Sequence, residues 1–378
     1  MATLVYLKSK FVLSFLIAAI GITIINSLAV PIASDMKEYV ASYADKELRV
    51  PPYDSIVYTP LWVEHLQSDL DGQKPVIGFF GSSTVYGTTV MKSANTSAGV
   101  FQSHLKDHRV LNLGLSGARF TDTYALVESM IYDVDVVVFE INYGMTVVSE
   151  NEPEPVAYPT LIGKLGHSIP REWLKSFPDK NENSLPSRAH GWVASNLMNH
   201  FTLYRERDVL SYHFFKTRTP KEKFRREYDK KKGKLTPYDP MYKPYDKMST
   251  ESKQRIDKGF HTLYHWNKPF SEQDSFGLFM IVKTLELIRK HNKKAIFYSA
   301  PLDYELINNR KMLNWNDYER VMSAYRKRVE EAGYPFIEFN NRKNVIPHRL
   351  YRDPTHLTDE GNKQFGEILF QKTITLLE

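Results

Sequence analysis

PVIGFFGSST, residues 75–84, is a short apolar run that passes directly into a glycine and three hydroxyl side chains. A run of this length that ends at a glycine predicts a buried strand over residues 75–80. Gly81 permits a tight turn after the strand, which places Ser83 at the exposed rim of a sheet, ahead of a helix. A serine hydroxyl needs a base to become a nucleophile, and without one the same turn is typical of a helix cap.

Two further β-branched runs end in the same manner. Residues 108–113 lead into a loop that contains Gly117, and residues 134–141 (VDVVVFEI) lead into Asn142. An acyl-transfer reaction needs N–H donors for the oxyanion of its tetrahedral intermediate. The backbone N–H groups of Ser83 and Gly117 and the side-chain amide of Asn142 are candidates for this oxyanion hole. Taken singly, a glycine and an asparagine at these places are also typical of turns.

The sequence DPTHLT, residues 353–358, supplies the base that a serine nucleophile needs. His356 follows Asp353 by three residues, a spacing at which the carboxylate holds one imidazole nitrogen while the other faces the serine. A lone Asp-x-x-His is a weak signal, because the same loop would cap the helix that follows. Four weak signals, each at or beside a strand end, together predict a catalytic triad of Ser83, His356 and Asp353.

Outside residues 145–274, short apolar runs alternate with amphipathic segments. Further strands are predicted at 295–299 and 336–339, and helices at 121–132, 275–291, 315–332 and 359–376. This alternation predicts an α/β fold, a parallel sheet covered by helices on both faces, with functional side chains at the carboxyl ends of the strands. Residues 145–274 are interpreted as an insertion that caps or flanks this core, with a helix around residues 194–210.

The blocks GSS, NLGLSG and DPTHLTDEG, together with the strand that ends at Asn142, resemble the four blocks of the SGNH (GDSL-type) hydrolase superfamily. The resemblance implies a three-layer sandwich with Ser83 as the nucleophile, His356 as the base and Asp353 as its orienting partner. It also implies that Gly117 and Asn142 are oxyanion partners. It covers residues 75–145 and 275–378.

Two departures from the commonest SGNH pattern stand beside these residues. Ser82 occupies the place of the aspartate in the GDS block, and Glu140 and Tyr143 replace the glycine and aspartate of GxND. The N-terminal apolar segment, the long insertion and the C-terminal D-x-x-H-L are more particularly similar to DltD-like and PatB-like proteins. That similarity implies a single-pass protein that helps to acylate a cell-wall polymer together with a membrane-bound O-acyltransferase.

Residues 11–33 are 23 successive positions without a charge, enough for a helix to cross the apolar core of a bilayer, about 30 Å thick. Lys8 and Lys10 precede them, which predicts a cytoplasmic tail over residues 1–10 and an exported remainder. Residues 11–33 are then a signal anchor, 34–74 a polar stalk and lead-in, and 75–378 the extracytoplasmic domain. A cleaved signal peptide is the alternative, and the length of the apolar run favours the anchor.

Residues 216–234 carry ten basic and three acidic side chains, a larger excess than the net charge of +6 of the whole chain. A solvated surface is the ordinary explanation of such a run. An anionic wall polymer or anionic lipid headgroups are the alternatives, and Lys230, Lys231 and Lys232 are the candidate polymer-binding residues. Nucleic acid fits the charge but not an exported location.

The absence of cysteine excludes a disulfide scaffold, a thiol nucleophile and an iron–sulfur cluster. The sequence contains no Walker A or GxGxxG run, and we expect no cofactor. The pairs His104/His108 and His261/His265 have a helical metal-ligand spacing but lack the glutamate of HExxH, so no metal site is predicted.

The sequence therefore predicts a membrane-anchored serine acyltransferase that forms an acyl-Ser83 intermediate and passes an acyl group, acetyl or D-alanyl-like, to hydroxyls of a cell-envelope polymer. An esterase with water as the acceptor uses the same triad and differs only in how water is excluded. A catalytically silent envelope scaffold is the third hypothesis, although a scaffold needs none of the three triad residues.

Overall fold

The computed structural model describes residues 2–49, 55–69, 74–167, 169–180, 201–215, 224, 227–228, 231–232 and 239–377. The chain divides into two compact units. The core unit comprises Ser42–Glu182 and Pro237–Glu378, and the anchor unit comprises Met1–Ala41 and Asn183–Thr236. The segment that the sequence marks as one insertion, residues 145–274, therefore contributes to both units.

The core unit is built on a sheet in which every pairing is parallel and the strand order is β2-β1-β3-β4-β5. Its strands are β1 (Val76–Gly81), β2 (Arg109–Gly114), β3 (Val136–Ile141), β4 (Lys294–Ser299) and β5 (Phe336–Ile337). Every residue of β1 and β3 is buried, as expected for apolar strands covered on both faces. The five predicted strands are confirmed, with ends that shift by one or two residues.

Helices precede, connect and follow these strands. They are α1 (Ala2–Glu47), α2 (Ser55–Asp69), α3 (Ser83–Tyr86), α4 (Ser97–His104), α5 (Phe120–Met130), α6 (Tyr143–Asn151), α7 (Pro159–Lys164), α8 (Arg171–Leu174), α9 (Thr202–Arg205), α10 (Arg207–Phe215), α11 (Thr250–Leu263), α12 (Phe276–Lys290), α13 (Tyr304–Arg310), α14 (Trp315–Glu331) and α15 (Asp359–Leu377). The predicted helices at 121–132, 275–291, 315–332 and 359–376 are confirmed as α5, α12, α14 and α15.

Helices cover both faces of the sheet, so the predicted three-layer sandwich is confirmed. On one face, Phe79 of β1 and Val138 of β3 belong to a buried apolar cluster with Phe101 of α4 and with Phe365 and Leu369 of α15. Helices α5, α6, α12 and α14 pack against one another in the second helical layer. The carboxyl ends of β1, β2 and β3 are adjacent at one edge, which is where α/β sheets of this kind place their functional groups.

Residues 34–74, interpreted as a polar stalk and lead-in, include α2. This helix contacts α5 and α7, and its Trp62 and Leu66 are 1% and 0% exposed. Pro60 and the shortness of the apolar run obscure the helical periodicity of α2 in the sequence.

Arg49, which precedes α2, holds the turn that follows α3. Its guanidinium is buried and donates hydrogen bonds to the carbonyl oxygens of Tyr86, Gly87 and Val90 and to Oγ of Ser93, at 2.8–3.1 Å. These four neutral acceptors offset the cost of removing the charge from water. The lead-in therefore supports the turn next to Ser83 from inside the core unit.

The anchor unit contains α1 as far as Ala41, and this helix is longer than the predicted span of residues 11–33. Its stretch Val12–Tyr43 is long and apolar enough to cross a membrane, and large side chains along it, such as Phe15 and Leu28, are exposed. A secretory signal sequence has the same properties. Of the helix predicted around residues 194–210, residues 194–200 lie outside the described residues, and the rest forms α9 and the beginning of α10.

Candidate active site

Ser83 is the first residue of α3, two positions after the end of β1. Its Oγ is 2.7 Å from Nε2 of His356, the distance of a short hydrogen bond. The turn requires Gly81, because a Cβ atom there would lie 2.6 Å from a methyl carbon of Val85 and 2.7 Å from Cβ of Glu140. This close approach of β1 to β3 presents the Ser83 hydroxyl at the end of the sheet.

His356 is oriented by Asp353, as predicted. Nδ1 of His356 is 2.9 Å from each carboxylate oxygen of Asp353. One of these oxygens also accepts hydrogen bonds from the backbone N–H groups of Thr355 and His356, at 3.1 and 2.8 Å. The loop folds back on itself, because the Arg352 N–H donates to the His356 carbonyl at 2.7 Å. Asp353 thus fixes both the loop and the imidazole ring that the loop carries.

The charges around His356 set its basicity. Burial by itself lowers the pKa of His356, but the carboxylates of Asp353 and Glu140 outweigh it and leave the pKa above its ordinary value, against an opposing effect of Arg352. Burial raises the pKa of Asp353, but the charge of His356 and the hydrogen bonds that the carboxylate accepts bring it below its ordinary value. An ionised Asp353 beside a basic imidazole is the state that can take a proton from Ser83.

Asn142 lies between the nucleophile turn and the triad loop. It caps α6, where its Oδ1 accepts the Gly144 N–H at 2.8 Å. Its Nδ2 donates to Oγ of Ser82 at 3.2 Å and to Oγ1 of Thr355 at 3.3 Å. The amide is therefore held among the neighbours of Ser83 and His356, at a place where its N–H groups can serve an oxyanion.

Gly117 lies in the loop after β2, where it is exposed and has a φ of +71°, a conformation that favours glycine. The loop begins beside the nucleophile turn, because the Leu115 N–H donates to the carbonyl of Gly81 at 3.0 Å. Within the described part of the chain, the backbone N–H groups of Ser83 and Gly117 have no protein acceptor. Both remain available to an oxyanion.

The sequence analysis missed Tyr158, which borders Gly117. The Tyr158 hydroxyl donates to the Ser116 carbonyl at 2.6 Å and would lie 2.8 Å from a Cβ atom at Gly117. Its backbone N–H is held by Asp122, a completely buried carboxylate that also accepts from Arg119. Nothing in the pattern around residue 158 signals this contact, since it depends on a loop that is distant in sequence.

Ser82 and Glu140, which both differ from the SGNH pattern, are hydrogen-bonded to each other. Oε1 of Glu140 accepts hydrogen bonds from the Ser82 hydroxyl at 2.7 Å and from the Ser82 N–H at 3.3 Å, while Oε2 accepts from the Thr84 hydroxyl. Glu140 of β3 thus places a carboxylate directly beside Ser82 and Thr84, the two neighbours of Ser83. Burial raises the pKa of Glu140, and the hydrogen bonds from Thr84 and Ser82 oppose that rise.

Tyr143, which departs from the GxND block together with Glu140, has a packing role. Its ring is 1% exposed and its hydroxyl accepts a hydrogen bond from Nε1 of Trp266 at 2.8 Å. The ring also packs against Tyr264 and Tyr318. In place of a carboxylate, this position carries an aromatic side chain that joins the end of α11 and the start of α14 to the end of β3.

The remaining candidate residues are three lysines and two histidine pairs. Lys230 lies outside the described residues, and Lys231 and Lys232 are exposed residues of the anchor unit. His104 contacts Glu367 at 2.7 Å, whereas His108 lies beyond the end of α4, so these two do not share a helical face. Among the described residues, no cluster of three or more side chains suited to a metal is present.

No protein-family model matches the chain, and no curated protein matches it. Solved structures that are similar to it include an acetyl xylan esterase, with 13% identity, a TM-score of 0.34 and coverage of 79% of this chain and 98% of that one. A lipase/acylhydrolase from Enterococcus faecalis has 11% identity, a TM-score of 0.37 and coverage of 79% and 95%. A carbohydrate acetylesterase from Sinorhizobium meliloti has 11% identity, a TM-score of 0.35 and coverage of 80% and 100%.

These likenesses are too distant to carry an argument about substrate. The chain's own features are more specific: a parallel sheet, four motif blocks at its strand ends, and a serine–histidine–aspartate chain of hydrogen bonds. A scaffold gains nothing from an oriented imidazole at a serine, whereas a nucleophilic serine requires one. On these grounds Ser83, His356 and Asp353 form a candidate catalytic triad of the kind that acyl-transfer chemistry uses.

Proposed function

We propose that this chain is a membrane-anchored acyl-transfer enzyme that forms an ester on Ser83 and passes the acyl group to a hydroxyl of a cell-envelope glycan or related polymer. The observation that carries the acyl-transfer part is the 2.7 Å hydrogen bond between Ser83 Oγ and His356 Nε2, with Asp353 behind the ring. It joins a nucleophile, a base and an orienting carboxylate in the order that acyl chemistry needs.

Each proton in the proposed reaction has a defined position. Ser83 Oγ attacks the carbonyl carbon of an ester donor while its proton passes to Nε2 of His356. The oxyanion is stabilised by the N–H groups of Ser83, Gly117 and Asn142, and its collapse expels the leaving alkoxide, which takes the proton from His356. An acceptor hydroxyl then gives its proton to His356 and attacks the acyl-Ser83 ester. Collapse of the second tetrahedral intermediate breaks the bond between the acyl carbon and Ser83 Oγ, and Oγ takes the proton back from His356.

The choice of a polymer hydroxyl as the acceptor rests on location and on the resemblance to DltD-like and PatB-like proteins. The apolar helix α1 would hold the enzyme at a membrane, next to the envelope. A membrane-bound O-acyltransferase that delivers the acyl group is the partner that the same resemblance implies. Esterase activity is the second candidate, because water fits the acceptor role in the same steps.

A product assay with the full chain in detergent separates these functions. We would use p-nitrophenyl acetate as the donor and offer chitotetraose and maltotetraose as acceptors, with Ser83→Ala as the matched control. Acetylated oligosaccharide that depends on Ser83 is the expected product. Release of acetate alone would replace the transferase by an esterase, and reaction with neither acceptor nor water would leave the silent scaffold.

A further inference from the structure

The apolar helix α1 contains a polar side chain that is satisfied from outside the helix. The hydroxyls of Thr23 and Ser27 donate to carbonyls within α1, both at 2.9 Å. Asn26 instead accepts a hydrogen bond at 2.9 Å from the backbone N–H of Leu203, at the start of α9. An amide group among apolar residues of a membrane-spanning helix is costly unless it finds such a partner.

The position of Asn26 along α1 indicates the depth of this contact. With the predicted span of residues 11–33 crossing the apolar core, Asn26 lies seven residues, about 10 Å at 1.5 Å per residue, inside the outer end of that span. Helices that lie in the membrane interface bury their apolar side about 5–10 Å deep, so the start of α9 is at the depth of an interfacial element.

The residues that follow have the composition of a membrane interface. Phe201 and Phe214 are 39% and 60% exposed, and Phe224 and Tyr228 are 70% and 56% exposed. Exposed aromatic rings are favoured at the boundary between headgroups and acyl chains. The guanidinium of Arg207 lies over the ring of Tyr204, at 4.2 Å from its centre, and the basic run of residues 216–234 continues the segment.

We propose that α9 and α10 lie at the outer headgroup boundary beside α1, and that the exposed residues Tyr228, Lys231 and Lys232 contact anionic lipid headgroups. Asn26 positions this segment through Leu203. The inference goes beyond the acyl-transfer function, because it concerns a part of the chain that contains no triad residue. It uses the anchor interpretation of α1.

The same basic side chains were candidates for binding an anionic polymer, and the described residues favour lipid. This segment is hydrogen-bonded to an apolar helix, a feature that a polymer site does not need. A lipid surface offers negative headgroups to the lysines and an apolar region to the rings at the same time.

The absence of cysteine makes a site-specific test direct. Full-length Phe214→Cys, Tyr228→Cys and Tyr132→Cys variants would carry a nitrobenzoxadiazole label and be reconstituted into vesicles of phosphatidylcholine, with or without phosphatidylglycerol. Tyr132 is the matched control, an aromatic residue of the core unit that is 77% exposed. Lipids with a nitroxide at the headgroup boundary quench labels that lie at that depth.

We expect the label at position 214 to be quenched at least about twofold more than the label at position 132 in both kinds of vesicle. Quenching at position 228 should rise with phosphatidylglycerol and fall in high salt, because the attraction is electrostatic. Adding Lys231→Gln and Lys232→Gln to that variant should remove most of the rise. Equal quenching at positions 214 and 132 would overturn the proposal.

A second variant tests the positioning by Asn26. Asn26→Leu removes the acceptor of the Leu203 N–H, so the quenching at position 214 should fall, and no change would overturn the role of Asn26. Quenching at position 228 that does not change with phosphatidylglycerol, together with a change in the fluorescence of that label when dextran sulfate is added, would assign the basic run to polymer binding. Fluorophosphonate labelling of Ser83 in every variant separates these outcomes from a failure of the catalytic site.

Discussion

The core unit and the anchor unit hold the polar side chains discussed above in different ways. In the core unit, Asp353 accepts hydrogen bonds from two backbone N–H groups as well as from His356, and Glu140 accepts from Ser82 and Thr84. In the anchor unit, the hydrogen bond to Asn26 Oδ1 is a single one, on a helix whose large apolar side chains are exposed. Many simultaneous bonds fix atoms to the accuracy that catalysis needs, whereas one bond on an apolar helix fixes only a depth.

This difference predicts that the two units are separable by substitution. Changes in the core unit should alter the chemistry at Ser83 and leave the contact with lipid intact. Changes in the anchor unit should do the opposite.

The largest expected effect is the loss of the base. His356→Ala should lower kcat/KM for a small ester by about 10⁴-fold or more, because Ser83 then has no group to accept its proton. His104→Ala is the matched control, since its imidazole pairs with Glu367 near the surface. Steady-state hydrolysis of p-nitrophenyl acetate measures both. A loss of less than tenfold in His356→Ala would mean that another group is the base.

The next effect concerns the oxyanion. Asn142→Ala should lower kcat by about 10²–10³-fold with a smaller change in KM, because its amide acts on charge that develops in the transition state. The Oδ1 of Asn142 also caps α6, so thermal unfolding must accompany the kinetics. A kcat that is unchanged in a folded variant would remove Asn142 from the oxyanion hole.

Arg49 tests whether the lead-in belongs to the core unit. Arg49→Met leaves the carbonyls of the turn after α3 without their donor and should lower the free energy of unfolding by about 3 kcal/mol. Arg342→Met removes an exposed ion pair with Glu319 and should change it by less than about 1 kcal/mol. Chemical denaturation of the full chain in detergent measures both. Equal changes in the free energy of unfolding for Arg49→Met and Arg342→Met would show that the contacts of Arg49 do not stabilise the core unit.

The charge of Glu140 should affect how kcat/KM depends on pH. His356 must be neutral to accept the Ser83 proton, so kcat/KM should rise with pH through a pKa above the ordinary value for histidine. Glu140→Gln keeps the shape of the side chain but removes one of the two negative charges that raise the pKa of His356. The rise should therefore occur at lower pH than in the unmodified enzyme, where Asp353, Glu140 and Arg352 all act on the imidazole.

Glu140→Ala provides the contrast. It removes the charge and also the acceptor for Ser82 and Thr84, so it should lower the plateau rate by about tenfold as well as shift the profile. Identical pH profiles for the unmodified enzyme and Glu140→Gln would show that the carboxylate acts only through geometry.

The smallest expected effect lies in the anchor unit. Changing Lys230, Lys231 and Lys232 to Gln should alter kcat/KM for a small neutral ester by less than about twofold. The surface charge is screened by salt and has little interaction with an uncharged substrate. A large loss with this ester would join the basic run to the catalytic site and end the separation of the two units.

The sequence predicts the strands and the triad because each of them has a local signature. Ser83, His356 and Asp353 follow or flank apolar runs whose periodicity and bounding glycines are visible one segment at a time. The contacts of Arg49, Glu140 and Tyr158 are different, because each depends on residues that are 35 or more positions away and only tertiary packing brings together. The sequence identifies Glu140 as a residue that differs from the SGNH pattern. Its hydrogen bond with Ser82 could not be predicted, because it depends on the register in which β1 pairs with β3.

The central claim is that Ser83 is the nucleophile, and covalent labelling tests it most directly. The full chain in detergent would be treated with a fluorophosphonate and digested, and the modified residue located by mass spectrometry. The hydrogen bond to His356 predicts that the label is on Ser83, and that it is lost in Ser83→Ala and His356→Ala. A label on Ser82, or labelling that persists undiminished in Ser83→Ala, would contradict this assignment.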